Sequence, residues 1–398
     1  MSGTKSYPVV TLRKGEERRL RQFHPWAYSN EIDMAGHAKT IAPGDLVVLA
    51  AADGGRLGVA TYNPHSLIAA RMLSSDPTAT IDSGFLASRL ARALALREKL
   101  FDRPFYRLIH AEADGLPGLI VDRFDDALVL QANSAGMDRL TPLLIEALDA
   151  TLKPKRILLK NDSSVRALEG LMLDIVTARG DFSQPLAVEE NGASFLADPA
   201  GGQKTGWFYD QRDNRHMIAA LARDARVLDL YCYAGGFAVQ AGRAGAKEVL
   251  GIDRSEGALA LALRAAEANK VAKSCRFERG EVFESLDKIA REQRRFDIVI
   301  ADPPAFVKNR KELKPGLQGY RKLTRMAAAR VEAGGLLFIA SCSHLADWPS
   351  FADAVRRGLV DARRGGRILR STGAAADHPV HPALPESAYL KGLLLQLD

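Results

Sequence analysis

The sequence predicts a multidomain α/β protein in which a doubly wound domain follows two smaller units, and three observations predict it. The first is the stretch Arg226-Val-Leu-Asp-Leu-Tyr-Cys-Tyr-Ala-Gly-Gly-Phe237: an apolar run ends on the carboxylate Asp229, a small-residue turn follows at Ala234-Gly235-Gly236, and a helical pattern runs from Phe237 to about Ala244. That is strand, turn, helix, the opening unit of a doubly wound sheet. The second is that short apolar runs and helical patterns go on alternating to the C-terminus. The third is length: 398 residues exceed one compact core. The expected boundaries are a β barrel over 1–75, a linker helix and α+β layer over 76–186, and the α/β domain over 187–398.

In the first segment, apolar runs at Val9–Leu12, Leu46–Ala50 and Leu67–Met72 are separated by turn signals at Pro43-Gly44-Asp45, Asp53-Gly54-Gly55 and Asn63-Pro64. Pro25-Trp26-Ala27-Tyr28 is an aromatic patch beside Arg18, Arg19 and Arg21. Two readings stand: an RNA-contacting module in which aromatics stack and cations meet phosphate, or a small barrel with Trp26 in its core. Residues 83–101 carry Phe85, Leu86, Leu90, Leu94 and Leu100 roughly on one face, and Pro104 stops the run, which predicts a linker helix. Runs at Leu119–Val121, Ala127–Gln131, Ile157–Leu159 and Leu173–Val176, with a helix over Met137–Leu152, predict the order strand, strand, helix, strand, strand. Ala113-Asp114-Gly115-Leu116-Pro117-Gly118 reads as turn chemistry.

Residues 187–215 lead into the α/β domain through a stretch dense in polar groups, Gly202 to Arg215, which reads as a lid over a cofactor or as a solvated loop with a helix cap. After the first strand, Glu248–Ile252 is a second strand ending on Asp253, 24 residues beyond Asp229. A carboxylate at that position suits a ribose hydroxyl pair. Ser255 caps a helix to Asn269 with a glutamate close behind. Further strands are expected near Cys275–Glu278, at Phe296–Ala301 and at Leu336–Ala340, and the last two, Ile368–Ser371 and Tyr389–Leu397, pair as an antiparallel edge.

The turn lacks both G-x-G-x-x-G and a G-x-x-x-x-G-K-[ST] phosphate loop, so a pyrophosphate has no cradle. A carboxylate before a small-residue turn suits a cofactor with an ammonium and no phosphates, and S-adenosylmethionine fits; the alternative is a nucleotide-free domain with an ordinary glycine turn. If the first strand neighbours the fourth, Asp229, Asp302 and Cys342 share the ligand edge. Asp302-Pro303-Pro304-Ala305-Phe306 is then a rigid loop able to grip a planar base, with Phe306 against its face. Cys342 ends a strand between two serines, just before His344. A thiolate there can add to carbon 6 of a pyrimidine and make carbon 5 nucleophilic toward a methyl sulfonium. Cys232 and Cys275 read as structural. From Ala305 to Arg330, eight Lys or Arg face one acid, Glu312. That local excess of +7 equals the net charge of the chain and suits a nucleic-acid substrate, or merely a solvated basic helix.

Composition bounds the rest. Hydrophobic residues make up 47%, and no apolar run reaches the roughly 18 residues of a membrane span. Met1 to Val10 has no apolar leader core. Three scattered cysteines exclude a disulfide frame or a zinc knuckle. A cytoplasmic protein with no metal and no membrane partner is expected, and a homodimer is compatible with the sequence.

These residues together closely resemble the bacterial large-subunit ribosomal RNA cytosine-5 methyltransferases that carry an N-terminal PUA domain. The resemblance runs over nearly the whole chain. It rests on His24-Pro25-Trp26, Tyr62-Asn63-Pro64-His65-Ser66, the run from Glu112 to Arg123, Gly202-Gln203-Lys204-Thr205-Gly206, Asp210-Gln211-Arg212, Cys232-Tyr233-Ala234-Gly235-Gly236-Phe237, Asp302-Pro303-Pro304-Ala305-Phe306, Ser341-Cys342-Ser343 and Pro385-Glu386-Ser387. It implies a PUA-type barrel, a small central α+β domain and a Rossmann-like class I methyltransferase domain acting on 23S ribosomal RNA. It further implies Cys342 as nucleophile with Asp302 beside it, and Asp229, Tyr231, Ala234, Gly235, Asp253, Glu281, Asp302, Gln203 and Lys204 around the cofactor. Read from the residues themselves, Pro303, Pro304, Phe306, Lys308, Arg310 and Trp26 are the expected substrate contacts. Two departures stand out. Glu281 replaces the aspartate of many relatives, and Pro304-Ala305-Phe306 stands where some related enzymes have a second cysteine, so the base that removes the carbon 5 proton has no assignment. Two rivals are an enzyme methylating a purine nitrogen, with Cys342 a bystander, and an assembly factor that binds RNA without turnover.

Overall fold

The computed structural model describes residues 7–398; the first six residues, part of the stretch read above for a leader, lie outside the described residues. The chain forms two compact units. One runs up to Leu186 and takes in Asp198–Trp207 and Asp377–Pro385; the other holds Ala187–Ala197, Phe208–Ala376 and Glu386–Asp398.

The first unit contains two five-stranded sheets. In the first the strands lie in the order Val9–Thr11, Asp45–Ala50, Arg56–Tyr62, Ala70–Ser74, Trp26–Ala27. Arg56–Tyr62 is absent from the sequence reading because Gly58 breaks its apolar run. A Cβ on Gly58 would lie 2.1 Å from the carbonyl oxygen of Ser74, so this position needs glycine for the close approach of the neighbouring strand. The helix Ser83–Leu100 is capped by Asp82, whose carboxylate accepts from the Phe85 amide.

The second sheet has the order Asp174–Arg179, Arg156–Asn161, Ala127–Ala132, Leu119–Phe124, Phe105–His110, with the helix Ala135–Thr151 following its third strand in the chain. The expected order thus gains a strand, Phe105–His110. Its alternation is interrupted by Arg107, but the guanidinium is satisfied across the sheet by Asp122, at 2.8 and 2.9 Å, and the two residues stand opposite each other in the ladder.

The second unit is built on a seven-stranded sheet of β1 (Arg226–Leu230), β2 (Glu248–Asp253), β3 (Cys275–Arg279), β4 (Phe296–Ala301), β5 (Val331–Ser341), β6 (Gly366–Thr372) and β7 (Lys391–Leu397). Its order is β3-β2-β1-β4-β5-β7-β6. Strands β1 to β5 are parallel, and β7 is antiparallel to both β5 and β6. The first strand therefore does neighbour the fourth, and the order reverses between them. Helices α1 (Gly236–Arg243), α2 (Glu256–Ala268), α3 (Val282–Arg291), α4 (Leu313–Ala328) and α5 (Trp348–Asp361) follow β1 in the chain, and a further helix, Arg212–Ala219, precedes it.

Leu228, Leu230, Ile252, Val299, Leu337 and Leu393 of the sheet pack with Leu286 of α3, Tyr320 and Leu323 of α4 and Phe351 of α5. The intervening residues Val227, Val249, Ile298 and Ile300 are buried as well. Both faces of the sheet are thus covered, which is why its strands read as continuous apolar runs rather than alternating ones. A hairpin absent from the sequence reading, Leu186–Glu190 with Ala193–Ala197, precedes the seven-stranded sheet in the chain.

Candidate active site

The carboxyl ends of β1 and β4 meet where the strand order reverses, the usual ligand position in such sheets. After β1 the backbone turns through three left-handed residues, Tyr231 (φ 63°), Tyr233 (φ 49°) and Gly235 (φ 77°), before α1 starts at Gly236. Left-handed tyrosines cost on the order of 1 kcal/mol each and persist where the surroundings impose them. Asp253, at the tip of β2, imposes one: its carboxylate accepts from the amide of Tyr233 at 3.0 Å and from that of Ser255 at 2.8 Å. Ala234 is buried within the turn.

Asp229 is 1% exposed. Its Oδ2 accepts from the amide of Ala238 in α1 at 3.0 Å, and its Oδ1 has no hydrogen-bond partner among the described residues. Burial pushes the carboxyl up to about 8; the charges of Asp302 and Asp253 add to this, while the Ala238 amide and Arg215 oppose it. Arg215 is itself held by Glu190 at 2.8 and 3.1 Å, and Gln240 donates to the same carboxylate at 3.0 Å. A buried carboxylate oxygen left without a donor fits a ligand that brings one, and the ammonium of S-adenosylmethionine would supply it. Tyr231 is half-buried, and burial followed by the charges of Glu281 and Asp253 raises its phenol. These electrostatics bring Tyr231, Glu281 and Asp253 into one neighbourhood. Glu281 itself is exposed at the N-cap of α3, with no capping hydrogen bond from its side chain.

The second half of the site is the loop after β4. The Asp302 amide lies 3.5 Å from the Leu230 carbonyl, which ties the loop to the end of β1. Pro303 is buried and Pro304 exposed. The Sγ of Cys342, half-buried at the end of β5, lies 4.0 Å from the carbonyl oxygen of Pro303. Both serines beside the cysteine are fastened. Ser341 donates to the Tyr320 hydroxyl at 2.9 Å, the Ser343 and Tyr320 hydroxyls are 2.8 Å apart, and the Val307 amide donates to Ser343 at 3.1 Å. Tyr320 of α4 thus fixes the strand end, and Ser343 fixes the loop to it. The Phe306 ring lies 4.8 Å from that of Tyr320.

Lys308, Arg310, Lys311, Lys314, Lys322 and Arg325 are exposed on the loop and α4. Arg321 is paired with Asp361 at 2.6 and 2.8 Å, so the basic rim is less charged than a residue count suggests. The Lys322 ammonium sits over the Phe283 ring at 4.4 Å.

Three of the residues singled out from the sequence belong to the first unit. Gln203 and Lys204 are exposed in the Asp198–Trp207 segment, where the Gly206 amide donates to the Gln203 carbonyl and buried Thr205 donates to the Asp122 carboxylate. The Trp26 indole N–H donates to Glu112 at 2.9 Å. Arg71 reaches Glu112 at 3.4 Å and Glu169 at 2.9 Å, and Asn63 and Ser66 also donate to Glu169. The sequence stretches around Trp26, Asn63 and Glu112 therefore meet in one polar network inside that unit.

Sequence reasoning missed Glu190, Tyr320 and Lys391. Of these, only Lys391 carries a signal in the sequence, a lone cation within Tyr389-Leu-Lys-Gly-Leu-Leu-Leu395.

Residues 10–75 match the family of the PUA-like domain, and residues 177–394 match that of the S-adenosylmethionine-dependent methyltransferase. Ribosomal RNA large subunit methyltransferase I of Cronobacter sakazakii is 38% identical over 389 residues, covering 96% of this chain and 98% of the relative. The protein of that name from Pseudoalteromonas atlantica is 36% identical over 98% of this chain and 99% of its own. Among solved structures, a SAM-dependent methyltransferase from Streptococcus mutans superposes with a TM-score of 0.82 at 19% identity, covering 98% of this chain and all of that one. SMU.776, a methyltransferase crystallised in complex with SAH, gives 0.83 at 19% identity over the same shares. At that identity the likeness is one of fold.

Proposed function

From the premise that this chain belongs to the S-adenosylmethionine-dependent family of ribosomal RNA large subunit methyltransferase I, we propose that it methylates carbon 5 of a cytosine in large-subunit ribosomal RNA through a Cys342 adduct. The observation that carries this reading is the fixed half-buried thiol at the Pro303 carbonyl, with both flanking serines held by Tyr320. A bystander cysteine needs no such support.

Bound S-adenosylmethionine supplies an electrophilic methyl group. The residues of the chain do the rest. Asp229 and Asp253 orient the cofactor, with Tyr231, Ala234, Gly235 and Glu281 lining it. Pro303, Pro304 and Phe306 hold the base; Lys308, Arg310 and the basic face of α4 meet RNA phosphate, and Trp26 takes part in RNA binding. The Cys342 thiolate forms a bond to carbon 6, and the electrons of the 5,6 double bond pass toward the ring carbonyl and N3. Carbon 5 would then bond the methyl carbon as the sulfonium carbon–sulfur bond breaks, leaving the neutral thioether S-adenosylhomocysteine. Transfer of the carbon 5 proton to water returns an electron pair to the ring, and the thiolate leaves carbon 6. Asp302 stands beside these steps, its carboxylate next to the base.

RNA containing 5-fluorocytosine tests this directly. Fluorine cannot leave carbon 5 as a proton does, so the adduct persists, and wild type is expected to give a denaturation-stable protein–RNA complex that Cys342→Ala does not. A purine methyltransferase or a binding module gives no such complex.

A further inference from the structure

Lys391 is a buried lysine that the mechanism above does not use. Its side chain is within a residue only 5% exposed, and its Nζ donates to two backbone carbonyls, Tyr389 at 2.7 Å and Ser343 at 3.1 Å. Ser343 directly follows Cys342, and in the β5–β7 ladder Lys391 stands opposite Ser341, which directly precedes it. The ammonium is thus anchored by neutral partners, one of them the carbonyl of the residue after the cysteine, on a strand position opposite the residue before it. A buried cation with no carboxylate among its hydrogen-bond partners is expensive, and such charges are retained where an anion is present or forms. The groups that interact electrostatically with Lys391 are Cys342 and Asp347, and burial lowers its ammonium against both.

We propose that Lys391 is the positioning residue that holds Cys342 as a thiolate, its buried ammonium serving as the counter-charge through addition to and departure from the pyrimidine. The inference rests on the reading of Cys342 as nucleophile. The titratable groups around the thiol are Tyr320 from α4, Lys391 from β7, Asp302 in the adjoining loop, and His344 and Asp347 in the segment after β5. Tyr320 is raised by burial and further by Cys342. His344 is exposed, its ring stacked on Tyr389 at 5.0 Å. Asp347 is exposed and caps α5 through the Ser350 amide. Lys391 is the buried cation of this set.

The test is the pH profile of Cys342 alkylation by iodoacetamide in the full-length enzyme, with the modified peptide identified by mass. The other two thiols do not confuse it, because burial pushes Cys275 up to about 11 and Cys232 well above its ordinary value. Wild type is expected to titrate below the free cysteine value of about 8.5. Lys391→Gln keeps donors for the two carbonyls but removes the charge, and should cut the alkylation rate at pH 7 about tenfold, one pH unit in the profile. Lys391→Arg should stay near wild type. A wild-type midpoint at or above about 8.5, an unmoved Lys391→Gln profile, or equal shifts in both variants overturns the proposal. If neither variant folds, the wild-type midpoint decides alone. Methyl transfer forms no part of this readout. A normal thiol in an enzyme that needs Cys342 retires only the Lys391 role, whereas a Lys391-dependent thiolate in an enzyme indifferent to Cys342→Ala retires the adduct.

Discussion

The hydroxyls of Tyr320 and Ser343 stand 2.8 Å apart, joining the middle of α4 to the segment just beyond β5. Because Ser341 donates to the same phenol and the Val307 amide donates to Ser343, one tyrosine sets the position of Cys342 relative to the Asp302–Phe306 loop. Tyr320→Phe keeps the ring and removes the hydroxyl. It should cost about 1–2 kcal/mol of stability, the usual effect of stranding buried partners, and lower kcat by about tenfold if the thiol shifts by a few tenths of an ångström. KM for S-adenosylmethionine should not change. Thermal unfolding and steady-state methylation measured side by side check this, and an unchanged kcat would remove Tyr320 from the account.

Asp229 predicts a proton release. With its carboxyl raised to about 8, the group is protonated in the free enzyme at pH 7. An ammonium placed on Oδ1 favours the ionised form, so cofactor binding at pH 7 should expel up to about 0.9 proton per site. Calorimetry in buffers of different ionisation enthalpy measures it. Asp229→Asn should abolish the release and weaken binding by about tenfold or more.

The same group makes stability depend on pH. Its folded value lies above the unfolded value of about 3.9, so its contribution is fully present below about 4 and is lost as pH rises through about 8, by about 1.4 kcal/mol per pH unit at most. Without cofactor, Asp229→Asn should therefore gain stability relative to wild type between pH 5 and pH 8. Urea titrations at both pH values report it, and a constant difference would contradict it.

Two helical glycines separate packing from propensity. A Cβ on Gly316 would lie 2.4 Å from Val307 Cγ2 and 2.6 Å from the Phe306 carbonyl oxygen, so α4 approaches the site loop only because that position is bare. Gly316→Ala should displace the loop, costing about 1–3 kcal/mol and most of the activity. At Gly257 in α2 an added Cβ meets nothing within 4 Å. Gly257→Ala should leave activity intact and change stability by at most about +0.5 kcal/mol. Melting temperatures and initial rates of the pair give the comparison.

The basic rim predicts salt dependence. Lys311 and Lys314 are exposed and make no ion pair among the described residues, whereas Arg321 is paired with Asp361. Lys311→Ala with Lys314→Ala should reduce the slope of log affinity for ribosomal RNA against log salt by about 1–2, while Arg321→Ala should change it less. Filter binding at several salt concentrations discriminates them.

Much of the methyltransferase half was legible because its chemistry is local. Apolar runs ending in Asp229, Asp253, Asp302 and Cys342 announce strand ends, and the neighbouring of β1 and β4 follows from the doubly wound pattern. What escaped reading depends on partners distant in the chain. Arg107 breaks a strand on paper and is satisfied by Asp122; Gly58 breaks another and is required by Ser74. Tyr320 and Lys391 look like ordinary members of a basic helix and an apolar strand until the fold brings both beside Ser343. Arg321 misled in the other direction, since its charge is taken up by Asp361, 40 residues on.

The central claim is the Cys342 adduct, and the most direct measurement is methyl transfer from labelled S-adenosylmethionine to unmodified large-subunit ribosomal RNA, wild type beside Cys342→Ala, with the methylated nucleoside identified by mass. The account predicts 5-methylcytosine from wild type and none from the variant, with both proteins equally folded and able to bind cofactor. Methylation that survives Cys342→Ala, or a methylated purine as product, would contradict it.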